Sequence, residues 1–483
     1  MRLSPKARPG IRLGGAAVAS RSTLPSLFLA CFLTATLVAL LGSPSATAEA
    51  REAEAPAVWA LTHARVVTAP GRVLDDATVV IRDGLIEAVG TGLQAPPDAR
   101  IEDFSGLTVY PGLIDAYAER SWPEESHPPQ GSHDNPQVRP ERDLALYGHD
   151  AGFAKQRRKA GITTALVASA EGVLRGSSAL INLGDGGLEH NLLLGAAAQH
   201  ASLEAAEGRD YPNSTMGAVA LARQSFLDAR WYRRARAAWE ADPGQPRIPY
   251  SRSLEALGPA AHGESPVFFT ASDVNAVGRA ADLATELNLQ AVLVGNGHEY
   301  QQLPALQAAG FPLILPLSFP EAPEVGDEGP AAAVALAELR HWDQAAANPA
   351  RVLGAELTIA FTTHGLDKPA KIFPALAKAR EHGLTEDQIL AAWTTVPARL
   401  LGLEDRLGTL DAGKWANLLV VEGELWTDEP KLQEVWIDGR RYSLEDDGGG
   451  GDKAMQWTRR PPSGIGASAE AATRAGAAAG GAS

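Results

Sequence analysis

Apolar and polar positions alternate along residues 57–107, with turn residues between the runs. The segment from Trp59 to Thr68 reads as one or two strands. Ala77–Arg82 and Leu85–Val89 flank Asp83-Gly84, a two-residue hairpin signal. The far end has the same texture: Asn417–Val421 reads as a strand, and Glu434–Tyr442 as a hairpin around Asp438-Gly439. Neither end has enough strands to bury a sheet alone. The pattern therefore predicts one composite β-sandwich, assembled from residues 57–107 and 405–445.

Between the two ends, short β-branched runs alternate with longer segments of helical period, the signature of a parallel α/β fold. Strands are predicted at Thr108–Ile114, Thr163–Ala168, Ala179–Leu183, Pro266–Thr270, Gln290–Val294, Pro312–Leu315 and Leu357–Phe361, with an eighth near Leu192–Ala198. Helices are predicted at Asp143–Ala160, Met216–Glu240, Asp273–Leu287, Pro330–Ala346, Pro369–His382 and Thr385–Thr394. Eight such repeats over 108–404 fit a (β/α)8 barrel of the TIM type. Two further stretches, 122–139 and 172–211, read as insertions over the barrel mouth.

The first 48 residues stand apart. They carry five basic and no acidic side chains, then an apolar run from Leu24 to Leu41, then Ala46-Thr-Ala48. That order is a secretory signal peptide with a cleavage site, and it predicts export to the periplasm or beyond. An uncleaved membrane anchor is the competing reading. Cleavage would take the net charge from −15 to −20 and remove Cys31, the one cysteine. A mature chain that acidic disfavours nucleic acid and anionic lipid as partners, and it has no thiol chemistry. The Ala/Gly/Ser-rich residues 446–483 read as a disordered tail.

One stretch organises the whole: Leu107-Thr-Val-Tyr-Pro-Gly-Leu-Ile-Asp-Ala-Tyr-Ala-Glu119, a buried run ending in acidic and aromatic residues. Its Pro111-Gly-Leu-Ile-Asp115 resembles the first barrel strand of the amidohydrolase superfamily. So does Gly161-Ile-Thr-Thr164, similar to that family's second strand, and so do Thr394–Leu403 and Arg406–Val421 near the end. The likeness is nearest to imidazolonepropionase-like secreted members. It implies hydrolysis of carbon–nitrogen bonds in amides or cyclic amides by one or two zinc-type ions. Those ions are held by two histidines from strand one, one each from strands five and six, and an aspartate from strand eight.

At those positions this chain has other residues. Tyr117 and Glu119 replace the strand-one histidines, Thr270 stands at strand five, Gly295 and Asn296 at strand six, and His364 at strand eight. Neutral Tyr, Thr and Gly do not replace imidazole as zinc ligands, so the family metal is expected to be absent or weakly bound. Glu119, His298 and His364 fall at strand ends and are the candidate catalytic set, as a rebuilt metal site or an acid–base group. His127, His133, His149, His190 and His200 lie in or near the two insertions. Against this, a chain with eleven histidines places several in loops by composition alone. Two functions remain open: a hydrolase of C–N bonds with a remodelled site, or a catalytically silent relative that binds a small molecule at the barrel mouth.

Overall fold

Gly112 marks the point where the chain passes from one sheet into another. The computed structural model describes residues 58–120, 134–147, 151–205, 211–323 and 334–444. Within it the predicted strand at Thr108–Ile114 is two strands. Leu107–Pro111 lies in the terminal sheet, where it pairs antiparallel with Leu418–Glu422. Leu113–Arg120 is the first strand of the ring. The Gly112 amide donates to the carbonyl of Asn417, 2.9 Å away.

The terminal sheet has eight strands drawn from both ends of the described chain. Its order is Arg440–Ser443, Lys431–Ile437, Leu418–Glu422, Leu107–Pro111, Val58–Ala69, Arg72–Arg82, Leu85–Thr91, with Arg100–Asp103 beside Val58–Ala69. The sheet rolls over on itself. Trp59 and Trp436, three strands apart in that order, meet edge to face with ring centroids 5.0 Å apart. Around them Leu61, Val79, Ile86, Val109, Leu418 and Val420 form a separate buried core. Both predicted Asp-Gly hairpins are present, with positive φ at Asp83, Gly84, Asp438 and Gly439. The two tips touch: a Cβ on Gly84 would stand 3.1 Å from the carbonyl oxygen of Asp438.

The ring has eight strands in sequence order: Leu113–Arg120, Ile162–Ser169, Leu174–Asn182, Gln199–Ser202, Val267–Thr270, Ala291–Val294, Leu313–Pro316 and Ile359–Thr362. Helices Thr215–Ala241, Val274–Glu286, Ile372–Glu381 and Glu386–Trp393 fall where helical period predicted them. Their starts are set by Ser214, Asp273 and Thr385 for three of the four, whose side-chain oxygens accept from first-turn amides.

Three expectations need correction. The ring is not wholly parallel: strand three runs antiparallel to strands two and four. Only 170–173 separate strands two and three, too few residues for the crossover that a parallel pair requires. The stretch 172–211 is therefore not an insertion, because it supplies strands three and four of the ring. The strand placed near Leu192–Ala198 lies instead at Gln199–Ser202, and Leu192–Leu194 pairs outside the ring with strand three.

Strand eight meets strand one through side chains. Asp115, fully buried on strand one, accepts from the backbone amide of Thr363 at 3.2 Å, from the Thr363 hydroxyl and from Nε of Arg157 at 3.3 Å. Beneath the ring a second buried network ties it to the terminal sheet. Nδ2 of Asn417 donates to Thr164 (3.2 Å) and to Oδ1 of Asn182 (2.9 Å), while Oδ1 of Asn417 accepts from the Asp438 amide at 2.9 Å. Asp115 and Asn417 are the acidic and amide residues of the two motifs, and here both are fasteners.

The proposed leader at 1–48 and tail at 446–483 lie outside the described residues, as does most of the stretch 122–139.

Candidate functional site at the ring mouth

Side chains from strands one, three and five converge at the mouth of the ring. Tyr117 is fully buried, and its hydroxyl donates to Oε1 of Glu119 and lies 3.0 Å from the Thr270 hydroxyl. The guanidinium of Arg175 joins all three. Its Nη1 is 2.6 Å from Glu119 Oε1, 3.2 Å from the Tyr117 hydroxyl and 3.4 Å from the Thr270 hydroxyl. Nε of Arg175 donates to the Gly172 carbonyl at 3.2 Å, which fixes the side chain's approach. Burial pushes the Tyr117 phenol far above its ordinary range, so it stays protonated and keeps its donor.

The reversed third strand explains how an arginine gets there. Strand three pairs Ala168 with Ser178 and Thr164 with Asn182. Its first residues therefore lie beside the last residues of strand two, at the mouth. In a parallel strand Arg175 would start from the floor.

Glu119 and His364 also come together: Nδ1 of His364 is 3.6 Å from Oε2 of Glu119. The His364 ring stands edge-on to Tyr117, with centroids 5.4 Å apart. His298 is placed differently. It stacks on His341 of the helix Leu336–Ala345, with centroids 3.6 Å apart and planes 11° from parallel. Among the described residues no hydrogen bond or ion pair joins it to Glu119 or His364. Its loop is held by Glu299, whose Oε1 accepts from the amides of Asn296 (2.7 Å) and Gly297 (3.1 Å).

His200 lies deeper, on strand four. It is fully buried between Tyr117 and Phe268, with ring centroids 5.6 and 5.1 Å away. Neither of its nitrogens has a hydrogen-bond partner among the described residues. Burial first, and then the charge of Arg175, lower its pKa to about 3, so the ring is neutral. His190 is exposed and pairs with its neighbour Glu189. His127, His133 and His149 lie outside the described residues.

These side chains do not suit a divalent ion. Among the described residues no three His, Cys, Asp or Glu side chains are grouped so as to hold one. The hydroxyl and carboxylate oxygens at the mouth already accept from, or donate within, a network centred on a guanidinium that is always charged. The structure brings the sequence candidates Glu119 and His364 together beside Arg175, a residue that the sequence pattern does not single out. The available signal was a lone cation opening the apolar run Val173-Leu-Arg-Gly-Ser-Ser-Ala-Leu-Ile-Asn182.

Known proteins show the same architecture. A profile described as the amidohydrolase family matches residues 377–442. An imidazolonepropionase from Deinococcus deserti is 43% identical over 49 residues, which is 10% of this chain and 12% of that protein. The crystal structure of an amidohydrolase from Thermotoga maritima superposes with a TM-score of 0.66 at 20% identity, over 79% of this chain and 98% of that one. The family match is confined to residues 377–442, and over the rest of the chain the likeness to amidohydrolases is one of fold.

Proposed function

We propose that this protein is an amidohydrolase-fold binding protein. It takes a small molecule at the ring mouth and does not hydrolyse a carbon–nitrogen bond by the metal-dependent route of its relatives. One observation carries the reading: Arg175 occupies the space among Tyr117, Glu119 and Thr270. A guanidinium cannot deliver a hydroxide to a carbonyl, because it does not deprotonate at physiological pH. The Arg175–Glu119 pair is internally neutral, which favours an uncharged polar ligand such as an amide or a lactam over an ion. Residues 1–48 support an exported protein, periplasmic or secreted, and sequencing the N-terminus of the mature chain checks that.

A second reading has its own observation. Glu119 and His364 are close enough to exchange a proton through small motions, as an acid–base pair acting on an amide without metal would require. Incubating the mature protein with a panel of amides and lactams separates the two. Binding seen as a rise in melting temperature, with no product formed, supports the binding protein. Turnover that disappears in Glu119→Gln and His364→Asn supports the hydrolase and ends the first reading.

A further inference from the structure

We propose that Arg175 is the resident cation of this site, a covalently attached substitute for the ion that the family's ligand positions would hold, delivered to the mouth by the reversal of ring strand three. The inference deepens the metal-independent reading above and rests on it.

Three observations meet at this residue. First, its Nη1 touches side chains from strands one and five, the positions at which the sequence departs from the family's ligands. The two neutral hydroxyls are poor zinc ligands, whereas all three side chains offer oxygen acceptors that a multi-donor group can collect. Second, strand three runs against its neighbours, so its opening residues lie at the mouth. A side chain from residue 175 can then span the ring interior without crossing it. Third, the approach is prepared. Gly176 has φ +93, and a Cβ there would fall 2.4 Å from the carbonyl oxygen of Val138. Only glycine permits that close pass of backbone on backbone immediately after the arginine.

The charge consequence is definite. Glu119 is neutralised by a group that salt or chelator does not remove, and the side chain of Arg175 is only 11% exposed. A divalent ion placed against Glu119 would have to displace that guanidinium or face its charge at close range, and either cost opposes binding. The site therefore excludes zinc while keeping a polarised mouth.

The test is a zinc titration of the full mature chain, read by calorimetry and by the shift in melting temperature. Wild type is expected to show no saturable zinc binding. Arg175→Ala should gain weak zinc affinity through Glu119 and His364, with a small rise in melting temperature, and the double variant R175A/E119Q should lose both. Arg175→Met keeps the aliphatic stem while removing the charge, and it serves if the alanine variant does not fold. Saturable zinc binding to wild type that E119Q abolishes would overturn the proposal. A folded R175A or R175M that stays indifferent to zinc would overturn it equally. These outcomes are independent of turnover. Metal-free hydrolysis by wild type would end the binding-protein reading and leave Arg175 as the cation, whereas zinc in wild type would remove Arg175 from that role.

Discussion

Gly112 faces Thr163 across the junction of the two sheets, so closely that a Cβ on the glycine would stand 2.3 Å from the threonine Oγ1 and 2.5 Å from its Cγ2. The glycine sits where Leu107–Pro111 of the terminal sheet hands over to Leu113–Arg120 of the ring. Thr163 is the second residue of ring strand two, and its hydroxyl donates to the Leu113 carbonyl at 3.3 Å. The Thr163 Cβ itself would lie 2.9 Å from the added atom, so no threonine rotamer clears it. Gly112→Ala is therefore expected to cost about 1–3 kcal/mol, the usual penalty of overpacking. The double variant G112A/T163A removes both nearest atoms and should recover part of that loss in urea denaturation. Additive penalties in the double variant would show that the two residues do not crowd each other.

A second glycine acts in the same way beside the site. A Cβ on Gly295 would fall 2.0 Å from Oε1 of Glu299, the carboxylate that collects the amides of Asn296 and Gly297 and the side-chain amide of Asn348. Glu299 is 2% exposed, so truncating it leaves buried donors without an acceptor. Glu299→Ala should destabilise by about 2–4 kcal/mol on that ground. It should also speed hydrogen exchange in the loop carrying His298, while exchange in ring strand four stays slow. Uniform acceleration across the ring would mean that Glu299 supports global stability and not that loop.

Much of this architecture is written in local chemistry. Asp83-Gly84 and Asp438-Gly439 announce hairpins because both need positive φ, whereas the sheet junction at Gly112 interrupts what reads as one strand over Thr108–Ile114. Ser214, Asp273 and Thr385 announce helix starts for the capping reason given above. Arg175 was illegible for a different reason. Hydrophobic period identifies a strand but not its direction, and direction alone decides whether Arg175 lies at the mouth or the floor. The strand signal at Ala179–Leu183 falls within ring strand three, whereas the Gly- and Asn-rich residues around it mask that 172–211 is ring and not insertion. His298 sits at a strand end as predicted, yet its ring is committed to His341, a contact across more than forty residues that no local pattern encodes.

His200 makes acid sensitivity a property of the ring interior. Its folded pKa is lowered to about 3 by burial and then by Arg175. An unfolded histidine titrates near 6.5. Between those values the unfolded chain holds a proton that the folded chain refuses, so this group's contribution to stability falls as pH falls. The slope is at most ~1.4 kcal/mol per pH unit for one proton. His200→Leu keeps the volume between Tyr117 and Phe268 and removes two unpartnered nitrogens. It is expected to match or exceed wild-type stability at pH 7 and to flatten the loss between pH 6 and pH 4 (about the range set by those two values). An unchanged acid slope in the leucine variant would assign the sensitivity to other groups.

The turn at Asp438 gives the opposite sign. Asp438 closes the second hairpin with φ +50, and its Oδ2 accepts from Nδ2 of Asn182 at 2.9 Å beneath the ring. Burial raises its pKa, and the hydrogen bond from Asn182 and the charge of Arg440 only partly counter that. A carboxyl with a raised folded pKa favours the folded state while protonated, and it penalises folding once pH has risen through both the unfolded and the folded value. Ionising Asp438 in the folded chain therefore costs stability. Asparagine tolerates the left-handed conformation and keeps an oxygen for Asn182. Asp438→Asn should thus raise the melting temperature at pH 7, and the advantage should shrink as pH drops towards about 4, where the unfolded aspartate also takes up its proton. Melting curves from pH 3 to pH 8 (roughly one unit below the aspartate range to well above it) decide the matter. An advantage that persists undiminished at the acid end would mean the gain comes from backbone preference, not from removing the charge.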